Sequence, residues 1–327
     1  METDRMRQPS KAGVSSMRMG GALRFLVPAA ALLVIFAAVA QGELSGQGKR
    51  DRDSVLTVGY SSKLFFDVDI RDAKAATKMW TDMLIRKMGN KYEKSEIHIL
   101  HDSSAMDKAL RMREVDILVL FSQEFIEMRD RAPIVPVYAA DYGKYFYHEL
   151  YLLVRNDSGL SRIADLKGKR LIIETGQKGS IPMIWLETVF AKETVSLMRE
   201  SAQIKEAMKA SQAVLPVFFR QADACVVGRN SYETMVELNP QVGRELKVIA
   251  TSPHYLTGVV CLRKDYYHAH KEMIDETLKA LYSEPQGQQI MKLFRINRLV
   301  PFKQEYLKTT EVLLSEHRDL VRTARKR

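Results

Sequence analysis

Between Val55 and Phe121 the apolar periodicity of this chain alternates between about two and about 3.6 residues, and this constrains the fold more than any other feature. Val55–Gly59 (VLTVG) reads as a short strand. Over 72–88, Ala76, Trp80, Met83, Leu84 and Met88 fall on one stripe at spacings of three and four, which predicts an amphipathic helix. Ile97–Leu100 is a second strand, and a helix follows from about Ser104 with Met106, Ala109 and Leu110 facing inward. After Asp116, the run Ile117–Phe121 is unbroken apolar, the pattern of a strand buried on both faces of a parallel sheet. Strand, helix, strand, helix, strand implies right-handed crossovers in an α/β domain.

A second unit follows an interruption. Segments 134–139 and 148–155 are extended, and Asn156-Asp157-Ser158-Gly159 is turn chemistry. Gly168–Ile173 leads from a turn into a strand. A helix from Ser180, a strand-like run over 194–198, helices over roughly 201–219 and a strand at 223–227 are expected next. Segments 246–250 and 258–263 are extended, 265–282 is helical, and Pro285-Gln286-Gly287 breaks that helix before further helical sequence. The segments 148–155 and 258–263 flank this unit and end alike, in V-R-N-D and L-R-K-D. They read as two crossover strands joining two α/β lobes. Residues 54–150 and 258–327 then form a discontinuous first lobe and 151–257 the second, with a hinge and a ligand cleft between them.

Ahead of both lies an export signal. Phe25–Ala40 carries no charge, follows Arg5, Arg7, Lys11, Arg18 and Arg24, and ends in Ala38-Val39-Ala40. These are the parts of a secretory signal peptide cleaved near Ala40, with a retained N-terminal anchor as the alternative. Either way the remainder, after a polar linker at 41–53, is periplasmic. The chain is basic, with 50 Lys and Arg against 40 Asp and Glu, but the charge is spread out. No basic stretch interleaved with aromatics suggests nucleic acid as a partner. Cys225 and Cys261 form either one disulfide or two buried thiols. No H-E-x-x-H, C-x-x-C, G-x-S-x-G, Walker A or G-x-G-x-x-G pattern occurs, and His268 and His270 have no third ligand at a metal-binding spacing. The expectation is a binding protein without catalysis, metal or cofactor.

Several stretches resemble the phosphonate-binding branch of the type II periplasmic substrate-binding proteins of ABC importers. They are VLTVGY (55–60), KALRMREVDILVLFSQEFIE (108–127), HELYLLVRNDSGLSRIADLKGKRLIIE (148–174), GQKGSIPMIWLETVF (176–190), FFRQADACVVGRNSYETM (218–235) and LKVIATSPHYLTGVVCLRKDY (246–266). The resemblance implies the two-lobed type II fold, a small anionic solute such as phosphate or a phosphonate held by hinge closure, a monomer, and an ABC permease as partner. A membrane sensor kinase or chemoreceptor is the alternative partner. A cofactor-biosynthetic enzyme on the same fold would need reactive His or Cys residues at the cleft.

Where the family carries a Ser/Thr-rich loop, this chain reads Thr175-Gly176-Gln177-Lys178-Gly179-Ser180, and it has Ser122-Gln123 where relatives have Gly-Pro. Ser180 has the position of an N-cap and Pro182 that of a first-turn proline, so free N–H groups and the positive helix end could accept an anion there. A plain strand-to-helix turn fits the same residues. The expected ligand contacts are Tyr60, Ser61, Ser122 and Gln123 on one wall and Gln177, Lys178, Gly179, Ser180 and Asn230 on the other, with Tyr147 near the crossover. Helix capping for the hydroxyls, hinge packing for Tyr147 and a surface loop for Asn230 are the bland counterparts.

Overall fold

The computed structural model describes residues 54–65, 69–141, 146–174, 180–194, 202–285, 288–289, 291 and 296–324. The expected signal segment and linker, Gln177, Lys178, Gly179 and most of the strand-like run at 194–198 lie outside them. Among the described residues no helix is long and apolar enough to cross a membrane.

The chain opens with β1 (Val55–Ser61), α1 (Ile70–Lys87), β2 (Lys94–Leu100), α2 (Ser103–Arg111), β3 (Ile117–Phe121), α3 (Ser122–Met128) and β4 (Ile134–Asp141). It crosses to β5 (Leu150–Arg155), β6 (Lys169–Glu174), α4 (Ile181–Thr194), β7 (Ala202–Ala207), α5 (Ala210–Phe218), β8 (Ala224–Gly228), α6 (Arg229–Leu238), α7 (Pro240–Glu245) and β9 (Leu246–Thr251). It returns through β10 (Gly258–Arg263), α8 (Lys264–Ser283) and β11 (Arg298–Pro301), and ends in α9 (Lys308–Ala324). Two sheets result, ordered β11-β4-β10-β3-β1-β2 and β7-β6-β8-β5-β9.

Each sheet carries three parallel strands with the first of them in the middle: β2-β1-β3 in one and β7-β6-β8 in the other. The antiparallel strand beside each trio, β10 or β5, is the one that arrives from the other lobe. The second and third strands of each trio are added on opposite sides of the first, so the order switches at β1/β3 and at β6/β8, and the carboxyl ends of those strands bound the natural ligand crevices.

Both sheets are covered on both faces, which is why their central strands are apolar on both sides. In the first lobe, Leu56, Val58 and Tyr60 of β1 pack with Met83, Leu84, Ile274 and Leu278 of α1 and α8. Leu118 and Leu120 of β3 face Met106, Leu110, Phe125 and Met128 of α2 and α3. In the second, Leu152, Leu171 and Val226 meet Trp185 and Phe190 of α4, while Cys225 and Val227 meet Val214, Val217 and Tyr232 of α5 and α6. Gly59 sits in a tight place: a Cβ there would lie 3.0 Å from the Val115 side chain and 3.1 Å from those of Leu100 and Leu118, so these would have to give way.

Three readings of the sequence need correction, and one alternative it left open is closed. Residues 202–207, expected to be helical, form the edge strand β7, which pairs along its full length with β6; its mixed polar sequence suits a sheet edge. The segments 148–155 and 258–263 are largely strands of single sheets. The crossing backbone is the stretch before each, tied together where His148 and Tyr255 exchange N–H···O bonds of 2.9 and 3.0 Å. Helix α9 does not belong to the first lobe alone, because Leu313 lies in the second-lobe core and Leu307, just ahead of the helix, in the first. Glu187–His317 (2.6 Å) and Lys192–Glu316 (2.8 Å) fasten α9 to α4, and Arg129–Glu311 fastens it to α3. Finally, Cys225 and Cys261 are free thiols buried in the cores of different sheets, which closes the disulfide alternative.

Candidate functional site

On the first wall, β1 ends at Ser61 and β3 at Phe121, and a buried carboxylate joins the two ends. Glu124, 2 % exposed, accepts the Ser61 hydroxyl at 2.9 Å and the Phe121 N–H at 3.0 Å, with Lys63 Nζ 3.5 Å away. Ser61 also accepts the Lys63 N–H at 3.2 Å. Ser122 donates its hydroxyl to the carbonyl of Leu256 at 2.5 Å and its N–H to that of Thr257 at 2.7 Å. A serine hydroxyl carries a single proton. Ser61 and Ser122 have both committed theirs within the protein, so neither has one to donate to an anion. They stiffen the wall and pin it to the return crossover.

Tyr60 is a further correction. It alternates in phase with Leu56 and Val58 and therefore points into the core below α1 and α8. There it lines an apolar space with Trp80, Leu84, Met88 and Leu278. Burial pushes its hydroxyl pKa up to about 12, partly offset by a hydrogen bond with Thr81. Gln123 is half-buried and donates to Glu127 at 3.1 Å, one turn along α3. Tyr147 sits within an aromatic group at the hinge, stacked on His254 at 5.9 Å and edge-on to Phe146 and Tyr306 at 4.7 and 6.2 Å.

On the second wall, β6 ends at Glu174, whose carboxylate accepts the Gly228 N–H at the end of β8 at 3.0 Å. Asn230 is half-buried in the first turn of α6, and its carbonyl accepts the Thr234 hydroxyl at 2.9 Å. Ser180 precedes α4 as an N-terminal residue should, its carbonyl accepting the Ile184 N–H at 3.0 Å. Its side chain differs from those of Ser61 and Ser122: Oγ is buried and has no hydrogen-bond partner among the described residues. A buried hydroxyl without a partner is costly unless a ligand or water completes it.

Thr257 shows the same property and escaped the sequence reading. Its Oγ1 is buried without a partner among the described residues, where the return crossover meets the end of β3. No local pattern marks it, because its position depends on a strand pairing more than a hundred residues apart in sequence. The hinge carries His148, whose Nε2 is shielded from solvent; burial lowers its pKa from 6.5 to about 4. Burial and the Glu174 charge push the Tyr255 hydroxyl up beyond the ordinary range. Among the described residues no group of His, Cys, Asp and Glu could hold a metal ion.

Two mixed α/β sheets joined by a double crossover are the architecture of two-lobed periplasmic binding proteins. The family model for ABC transporter, phosphonate, periplasmic substrate-binding protein matches residues 67–307, and the chain belongs to that family. Its members bind solutes in the periplasm on behalf of an ABC transporter, so a membrane permease is the partner. The fold is similar to that of XAC2383 from Xanthomonas citri, solved bound to ATP (15% identity, TM-score 0.63, covering 82% of this chain and 98% of that one). It is also similar to a binding-protein component of an ABC phosphonate transporter from Pseudomonas aeruginosa (16%, 0.59, 82% and 88%). PhnD1 from Prochlorococcus marinus, in complex with methylphosphonate, is a third such structure (14%, 0.55, 80% and 97%). No curated protein matches the chain.

Proposed function

We propose that this protein captures a small phosphonate-class oxyanion between the two lobes and delivers it to the permease after hinge closure. The observation that carries this reading is the Ser180 hydroxyl, buried and unpaired among the described residues at the start of the fourteen-residue helix α4. A helix start offers free N–H groups and a positive dipole end, and a hydroxyl donor beside them completes an oxyanion cradle. Gln177, Lys178 and Gly179 precede it in sequence and would add amide donors and a charge. Thr257 contributes a hydroxyl from the return crossover. Ser61 and Ser122 act one step back, holding the first wall in shape.

No bond is made or broken in this account. Burial pushes the thiols of Cys225 and Cys261 well above the ordinary range, and both lie in sheet cores, so neither is a nucleophile for the cleft. Binding proceeds with the protein as a monomer.

Methylphosphonate is the first probe, with phosphate, methanesulfonate and a cationic amino acid for comparison. Calorimetry is expected to show that Ser180→Ala weakens methylphosphonate binding about tenfold or more, since hydrogen bonds to charged groups are the strong ones. The melting temperature of the unliganded protein is expected to move by less than about 3 °C. A larger change in melting temperature than in affinity would assign Ser180 to packing at the helix start alone. A response only to the cationic solute would overturn the ligand class.

A further inference from the structure

Leu307, Thr310 and Leu313 recur at three-residue intervals where the chain enters α9, and so share one stripe of its surface. Leu307 packs in the first-lobe core and Leu313 in the second-lobe core. Thr310 therefore faces the seam between the lobes, and it is 0% exposed. Its Oγ1 is buried with no hydrogen-bond partner among the described residues. Other helical threonines behave differently. Thr77, Thr81, Thr188, Thr277 and Thr323 each donate to the carbonyl four residues back, at 2.7 to 2.9 Å. Thr310 makes no such bond to Tyr306, although that outlet is the ordinary one for a helical threonine.

The first turn of α9 is held against both walls. The Thr309 hydroxyl donates to the carbonyl of His254, on the crossover that leads to Thr257. Arg129–Glu311 ties the turn to α3, and Glu187–His317 ties the helix to α4, which begins beside Ser180. Helix α9 has seventeen residues and continues from the turn Gln304–Leu307, whose Glu305 carbonyl takes the Lys308 N–H, so the helix contributes its positive end at the same seam as the unpaired hydroxyl.

We propose that the start of α9 is a third wall of the binding site, with the Thr310 hydroxyl donating to the bound oxyanion alongside those of Ser180 and Thr257. This inference rests on the oxyanion reading above. It gives the C-terminal helix a direct part in recognition as well as in packing.

The test compares the purified full-length chain with Thr310→Val, which keeps the shape and removes the hydroxyl, Thr310→Ser, which restores it, and Thr310→Ala. Methylphosphonate and inorganic phosphate are the probes, read by calorimetry and by unliganded melting temperature. Thr310→Val is expected to weaken binding of the better probe about tenfold or more without lowering the melting temperature, and Thr310→Ser to stay within about threefold of wild type. Wild-type affinity in Thr310→Val would overturn the inference while leaving the oxyanion reading intact. Weakened binding together with a lowered melting temperature in both Thr310→Val and Thr310→Ala would assign Thr310 to packing. Failure of the wild-type chain to bind either probe would refute the oxyanion reading and this inference with it.

Discussion

Lowering the pH from 7 to 4.5 is expected to destabilise the wild-type chain by about 2–3 kcal/mol more than a His148→Gln variant. The folded protein depresses the pKa of His148 from 6.5 to about 4, because burial disfavours the charged ring. As pH falls through 6.5 the unfolded chain takes up a proton that the folded chain still refuses. The contribution to stability is therefore complete above pH 6.5 and is lost as pH falls through 4. The ring is anchored at the double crossover, where His148 exchanges both backbone hydrogen bonds with Tyr255. Glutamine removes the titration and leaves those backbone bonds in place. Urea unfolding at pH 7.0, 5.5 and 4.5 measures the difference, provided the slopes agree between the two proteins. Parallel stability profiles would show that the ring is hydrated in the folded state.

The architecture was legible because its signal is local and repeated. Ile117–Phe121 is apolar at every position, and burial of β3 by helices on both faces is what such a run requires. β7 was misread because an edge strand is buried less, so Ala202–Ala207 keeps polar residues that also suit a helix. Parity would have moved Tyr60 out of the site: a residue two and four positions from Val58 and Leu56 shares their face, so it belongs with the core. The start of α4 after Ser180 was legible from Ile181-Pro182, where helix starts have a recognisable chemistry. Thr310 carried a fainter signal, a lone hydroxyl between two leucines at helical spacing, which stands out once both leucines are known to be buried. Thr257 carried none. Hydroxyl proton counts could not be read from sequence either, since Ser61 and Ser122 differ from Ser180 only in the partners that distant segments bring to them.

Replacing Glu124 is expected to be among the most disruptive single changes in the first lobe, with Glu124→Leu costing about 3 kcal/mol or more and Glu124→Gln about 1 kcal/mol. The carboxylate is 2 % exposed and links three groups: the Ser61 hydroxyl, the Phe121 N–H and, more loosely, the Lys63 ammonium. Leucine would leave the first two facing an apolar side chain away from water, and each such loss carries a desolvation penalty. Glutamine keeps an acceptor for the Phe121 N–H and fills the same volume, so its cost is smaller. Ser61→Ala separates this fastening role from ligand contact. Because the Ser61 proton is already given to Glu124, Ser61→Ala is expected to lower stability by about 1 kcal/mol while leaving methylphosphonate affinity within about twofold. Denaturant unfolding and calorimetry on the same three variants decide the matter. A Glu124→Leu protein as stable as wild type would mean that water reaches this end of the sheet. A large affinity loss in Ser61→Ala at unchanged stability would return Ser61 to the ligand, because only a hydroxyl whose proton is available to solute could produce it.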